Sequence, residues 1–128
     1  MGVVYQPLLL SVQILFMAAQ LPGGFSPVQA AHKRIQVVAE QAKPKLEELL
    51  RREFTIFEVV TFTDRYNDMM KEDCVKIKVD GDKVLLVYLE EAAVMTFPPQ
   101  VNLLSYIPDA PADCELNEFI EELMKLRK

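Results

Sequence analysis

The stretch IQVVAEQAKPKLEELL (residues 35–50) decides the fold, because its apolar side chains recur at steps of three and four residues. That spacing predicts an amphipathic helix with one buried face. The predicted buried face consists of Ile35, Val38, Ala39, Ala42, Leu46, Leu49 and Leu50. Pro44 has no amide proton to donate to the carbonyl of Glu40, so the pattern fits either one bent helix or two short ones.

From Phe54 onward the pattern changes to that of β-strands. The segments FTIFEVVTFT, CVKIKV, VLLVYLEE and VNLLSYI are rich in β-branched and aromatic residues, and CVKIKV alternates strictly between apolar and polar. Asp80-Gly81 between the second and third segments predicts a tight hairpin turn. The polar stretch DRYNDMMKED (residues 64–73) is interpreted as a turn between the first two strands.

The last residues again show a helical spacing, with an apolar stripe at Leu116, Phe119, Ile120, Leu123 and Leu126. Acidic residues lead and basic residues close this segment, as the helix dipole favours. The order of elements predicts an α+β fold. One long N-terminal helix packs on an antiparallel sheet of four to five strands, and a short C-terminal helix follows.

Length and charge limit the domain count and the partners. With 128 residues the chain suffices for one domain, and its formal net charge of −5 argues against a nucleic-acid partner. Residues 1–21 contain the uncharged apolar run LLLSVQILFMAA, which is too short to span a bilayer. This segment is either an N-terminal extension or a cleaved signal, and a cleaved signal would make the protein a secreted one.

Few residues of the sequence are candidates for a catalytic or metal-binding role. His32 is the only histidine, and it is interpreted as a surface residue at a helix start. Cys74 and Cys114 stand in no metal-binding spacing, and whether they form a disulfide is left open. We find no nucleophile–base pair, metal spacing or phosphate loop, so we expect no catalytic residue, no metal site, no cofactor and no enzymatic activity.

Several short segments resemble the stefins, the type-1 cystatins, in the order and spacing of that family. The matching segments are PGGFS at residues 22–26, IQ at 35–36, KPKLEE at 43–48, FEVV at 57–60 and SYIPDAPADCELNEF at 105–119. The resemblance implies the cystatin fold over residues 22–119, with residues 120–128 as a C-terminal helical extension. It also implies that Gln36-Val37-Val38-Ala39 lies on the helix, although these letters resemble the family's Gln-Val-Val-Ala-Gly loop.

The resemblance further implies a reversible, competitive inhibitor of papain-like cysteine proteases such as cathepsins, acting as a monomer in the cytoplasm. Stefins fill the protease cleft with three segments, and each is carried over here by position. The expected contacts are a trunk at Gly23 and Gly24, a first loop at Arg65, Tyr66, Asn67, Asp68, Met69, Met70 and Lys71, and a second loop at Phe97, Pro98 and Pro99. The first loop lacks the Gln-Val-Val-Ala-Gly motif, and its charged residues Arg65, Asp68 and Lys71 are expected to stay solvated at the rim.

The replaced first loop leaves a second interpretation open. A scaffold alone does not carry function, so the chain could instead be a non-inhibitory protein-interaction module. The apolar stripe of the C-terminal helix (Glu118 to Lys128) would then pack either on the domain's own sheet or on a partner.

Overall fold

The computed structural model describes residues 22–67, 70–92 and 97–126 and confirms the predicted α+β arrangement. The regular elements are a 3-10 turn at Pro22–Gly24, β1 (Gln29–Ala30), α1 (Lys33–Leu50), β2 (Phe57–Asn67), β3 (Met70–Val79), β4 (Lys83–Ala92), β5 (Val101–Pro111) and α2 (Leu116–Leu126). The apolar run at residues 8–19 lies outside the described residues. Within them, every helix is too short or too polar to cross a membrane.

Helix α1 is one continuous helix of 18 residues, with Pro44 inside it. Its N-cap is His32, whose Nδ1 accepts a hydrogen bond from the amide of Ile35 at 3.2 Å. The His32 ring also stands edge-on to Phe62, with the ring centroids 5.0 Å apart. The interpretation of His32 as a residue at a helix start is therefore confirmed, and its role is to begin the helix.

The five strands form one antiparallel sheet in the order β1-β2-β3-β4-β5. The hairpin turn predicted at Asp80-Gly81 is present, and Gly81 has a φ of 93°. The interpretation of residues 64–73 as a turn is wrong for most of them. Strands β2 and β3 stay paired up to Asn67 opposite Met70, because polar side chains that find partners within the sheet do not break strand pairing.

The inner face of the sheet packs against α1. The shared core is built by Ile35, Val38, Ala39, Ala42 and Leu46 from the helix and by Phe57, Val59, Phe62, Val75, Ile77, Val79, Leu85, Val87 and Leu89 from the strands. Gln36 fixes the helix to β2, since its side chain donates to the carbonyl of Phe57 and accepts from the amide of Val59, both at 2.8 Å. The pairing of β2 with β3 is irregular between Val59 and Thr61, directly beside this contact.

The outer face of the sheet is covered by α2. A second apolar cluster joins Leu116, Phe119, Ile120 and Leu123 of the helix to Phe25, Cys74, Val84, Leu86, Tyr88 and Ala110. The apolar stripe of the C-terminal helix therefore packs on the domain's own sheet, which was one of the two alternatives left open, except for Leu126, which is 79 % exposed. Cys74 and Cys114 are both free thiols.

Candidate functional site

Three chain segments meet at one end of the sheet, which we call the loop end. They are the trunk at Pro22–Gly24, the β2–β3 hairpin around Asn67 and Met70, and the connection from β4 to β5. Pairing brings them together, because Met70 lies opposite Asn67 on one side and opposite Ala92, the last residue of β4, on the other. The hydrogen bond from the Ala92 amide to the Gln100 carbonyl, 3.2 Å long, closes the third segment.

The trunk is fixed to β2 by short contacts. The amide of Ser26 donates to the carbonyl of Asp64 at 2.8 Å, and the Thr63 hydroxyl donates to the Ser26 carbonyl. Gly23 and Gly24 both have a positive φ, 75° and 80°. The residues carried over as a trunk therefore lie beside the first hairpin, in a backbone conformation that other residues rarely adopt.

The residues carried over as a first loop are mostly strand residues. Arg65, Tyr66 and Asn67 end β2, and Met70 and Lys71 begin β3. Asp68 and Met69 lie outside the described residues. Tyr66 is 78 % exposed, so it is an aromatic side chain that this hairpin presents to solvent.

The second connection presents another aromatic ring. Phe97 is 87 % exposed, Pro98 is exposed and Pro99 is half-buried. Residues 93–96 lie outside the described part of the chain. The expected contact residues Phe97, Pro98 and Pro99 are thus accessible at the loop end.

The expectation that Arg65 and Lys71 stay solvated at the rim is wrong. Their side chains are only 17 % and 15 % exposed, because carboxylates of the same domain hold them. Arg65 pairs with Glu72 at 2.8 Å on the outer face of the sheet. Lys71 lies on the inner face, near Asp64, Asp73 and Glu91 at 3.5, 3.6 and 3.5 Å. Each charge is therefore compensated where it is buried.

The inner charged cluster contains two buried carboxyl groups that cannot both be ionised at low cost. Burial and the neighbouring Glu91 raise the pKa of Asp73 to about 8. Burial alone would also raise the pKa of Glu91, but the neighbouring Asp73 carboxyl, the hydrogen bond from Arg34 and the charge of Lys71 lower it to about 2. Arg34 donates to Glu91 at 2.6 Å. At neutral pH, burial therefore favours the protonated form of Asp73 beside an ionised Glu91.

Replacement of Asp73 by asparagine is expected to remove a pH dependence of stability. The folded-state pKa of Asp73 lies above its ordinary value of 3.8, so its stabilisation is complete below pH 3.8 and is lost as the pH rises toward 8. The free energy of unfolding should fall by about 1 kcal/mol per pH unit between pH 5 and 7. Urea unfolding at several pH values measures the slope. In Asp73→Asn the slope should vanish, since the amide that replaces the carboxyl group does not titrate.

Asp64→Asn is the matched control, because it removes an acid on the rim of the same cluster. It should keep the falling slope of the parent chain. A parent chain whose stability rises between pH 5 and 7 would contradict a proton held on Asp73.

The loop end presents a contact surface formed by its described residues. Burial raises the pKa of the Cys74 thiol far above its ordinary value, which leaves it protonated and unreactive. Within residues 22–67, 70–92 and 97–126, no group of acidic, histidine or cysteine side chains has the geometry to hold a metal ion. The described part of the site offers a backbone edge at the strand ends, with the exposed aromatic side chains of Tyr66 and Phe97.

The buried groups that support these three segments were not predicted from the sequence. Glu72, Asp73, Tyr88, Glu91 and Arg34 were not singled out. The available signal for these groups was the run Lys71-Glu72-Asp73. These three charged residues directly precede the alternating segment CVKIKV, and they continue its strand.

Comparison with known proteins agrees with this geometry. No protein-family model matches the chain. Stefin-C of Bos taurus is 33 % identical to it over 97 residues, which cover 76 % of this chain and 94 % of the bovine protein. The chain therefore belongs to the stefin family.

Proposed function

We propose that the chain is a reversible, competitive inhibitor of papain-like cysteine proteases of the cathepsin type. It acts by occluding the active-site cleft with the loop end of its sheet. Membership of the stefin family supports this proposal, because stefins are inhibitors of such proteases and not enzymes. We further propose that it acts as a monomer in the cytosol.

The observation that carries the proposal is the convergence of trunk, first hairpin and second connection at one end of the sheet. These three adjacent backbone segments form one edge of the domain, and such an edge can enter the elongated active-site cleft of a protease. Tyr66 and Phe97 supply exposed aromatic area on this edge. Because the strand ends hold it, the edge needs little ordering on binding.

The altered first hairpin is compatible with this mode of binding. The charged residues that replace the family's apolar loop do not all point at the partner, since Arg65 and Lys71 turn to opposite faces of the sheet and are paired there. The cost of pushing unpaired charge into a protease cleft is thereby reduced. We still expect weaker binding than a complete first loop would give, by about 30- to 1000-fold.

A titration of active papain with the full chain tests the proposal. We expect saturable, reversible inhibition that competes with substrate. Gly24 is the position for a contact test, because a Cβ atom added there would meet no atom of the domain within 4 Å. Gly24→Glu should weaken inhibition at least tenfold, since it places a charge in the cleft.

Gly24→Ala is the matched control, because it shares the backbone strain at a φ of 80° but adds only a methyl group. It should weaken inhibition less than Gly24→Glu. A folded parent chain that leaves papain fully active at high micromolar concentration would refute the inhibitor proposal. That outcome would favour the non-inhibitory interaction module instead.

A further inference from the structure

We propose that Arg65 is a positioning residue that clamps the trunk against the first hairpin, with α2 as the opposite wall of the clamp. The trunk is thereby held in its bound conformation before a protease arrives. This inference rests on the proposed function for its binding consequence. Its structural part, the ordering of the trunk by Arg65, is tested without any protease.

The guanidinium of Arg65 contacts the trunk in two ways. Its Nη1 donates to the carbonyl of Gly23 at 2.5 Å. Its Cζ lies 4.5 Å from the centre of the Phe25 ring, within the range of a cation–π contact. The same group therefore holds the backbone of Gly23 and covers the first buried side chain after it.

A buried carboxylate holds Arg65 in place. Glu72 accepts from Arg65 Nε at 2.8 Å and from the Tyr88 hydroxyl at 2.5 Å, and Glu72 is nearly inaccessible to solvent. The amide of Asn67 lies 3.5 Å from its other oxygen. A planar guanidinium can donate to Glu72 through one nitrogen and to Gly23 through another, which a lysine ammonium cannot reproduce in this geometry.

The C-terminal helix completes the clamp. A Cβ atom at Gly23 would lie 2.9 Å from Arg65 Nη1 and 2.9 Å from the sulfur of Met124. Gly23 therefore lies between β2 and α2, where a side chain would require the Arg65 guanidinium or the Met124 thioether to shift, and its φ of 75° further disfavours other residues. The trunk therefore lies between Arg65 of β2 and Met124 of α2, so α2 helps to position the trunk at the loop end.

The clamp reduces the ordering that the trunk undergoes on binding. A glycine pair free in solution loses backbone entropy when it is fixed in a cleft, and a pair already fixed loses less. Arg65→Lys keeps the positive charge beside Glu72 but lacks the second guanidinium nitrogen that donates to the Gly23 carbonyl. We expect this variant to inhibit papain about tenfold more weakly than the parent chain.

A double-mutant cycle in the full chain tells positioning from a general structural role. Arg65→Lys is combined with Gly24→Glu, which removes the contribution of the trunk by itself. If Arg65 acts through the trunk, Arg65→Lys should cost about tenfold in the parent background and less than about twofold in Gly24→Glu. Equal losses in both backgrounds would overturn the positioning role.

Backbone NMR relaxation of the free chain tests the clamp itself. Gly23 and Gly24 should have order parameters near those of rigid backbone, about 0.85, and Arg65→Lys should lower them toward about 0.6. An ordered trunk that Arg65→Lys loosens supports the clamp even if papain is not inhibited, in which case only the proposed function fails. A trunk that is already mobile in the parent chain overturns the clamp even if papain is inhibited.

Discussion

Replacement of Phe119 by alanine is expected to lower the free energy of unfolding by about 3–5 kcal/mol. The ring is 3 % exposed and belongs to the cluster between α2 and the outer face of the sheet. Its removal loses the transfer energy of a large side chain and leaves a cavity that the surrounding strands cannot fill. Urea unfolding at constant pH, with the midpoint and slope compared between variants, measures the loss.

Glu121→Ala is the control for this substitution, because Glu121 lies exposed on the same helix. It should change stability by less than about 0.5 kcal/mol. If Phe119→Ala were as mild as Glu121→Ala, α2 would not be part of the folded domain. Its apolar stripe would then be available to a partner, as the interaction-module hypothesis supposes.

Replacement of Glu72 by alanine is expected to cost a similar amount, about 3–5 kcal/mol. The side chain of Glu72 is 3 % exposed, and its loss leaves the largely buried guanidinium of Arg65 without its carboxylate. It also removes the acceptor of the Tyr88 hydroxyl. Thermal and urea unfolding of the variant should both report the destabilisation.

The double variant Arg65→Met, Glu72→Met distinguishes an ion pair from simple loss of packing. Removing both charges avoids the uncompensated one, so this variant should regain most of the stability that Glu72→Ala loses. It should still lack the contact to Gly23. A double variant as unstable as Glu72→Ala would show that packing volume rather than charge pairing governs this site.

The helix and the order of the strands could be predicted because each follows from a local period. The apolar residues of α1 recur every three or four positions, and the strand CVKIKV alternates. One covered face of the sheet was also predictable, since an amphipathic helix needs a surface to pack on. Strand β1 was not, because two residues are too few to show any period.

The burial of the charged residues at the candidate site could not be predicted, because it depends on contacts with residues that are distant in the sequence. Charged residues in a polar stretch usually face solvent, so residues 64–73 were interpreted as a turn. Lys71 becomes buried only because β3 pairs with β4 and places Glu91 opposite it. Arg65 becomes buried only because the trunk and α2 close over it.

The contact of Gly23 with Met124 means that the first and last described elements of the fold are neighbours in space. A short linker could therefore join them with little loss of chain entropy. The turn at Asp80–Asp82 lies at the opposite end of the sheet, where β3 passes into β4. Cutting the joined chain at this turn would yield a circular permutant whose new N- and C-termini lie far from the trunk. A fluorophore or an affinity tag could then be attached without crowding the surface that meets the partner.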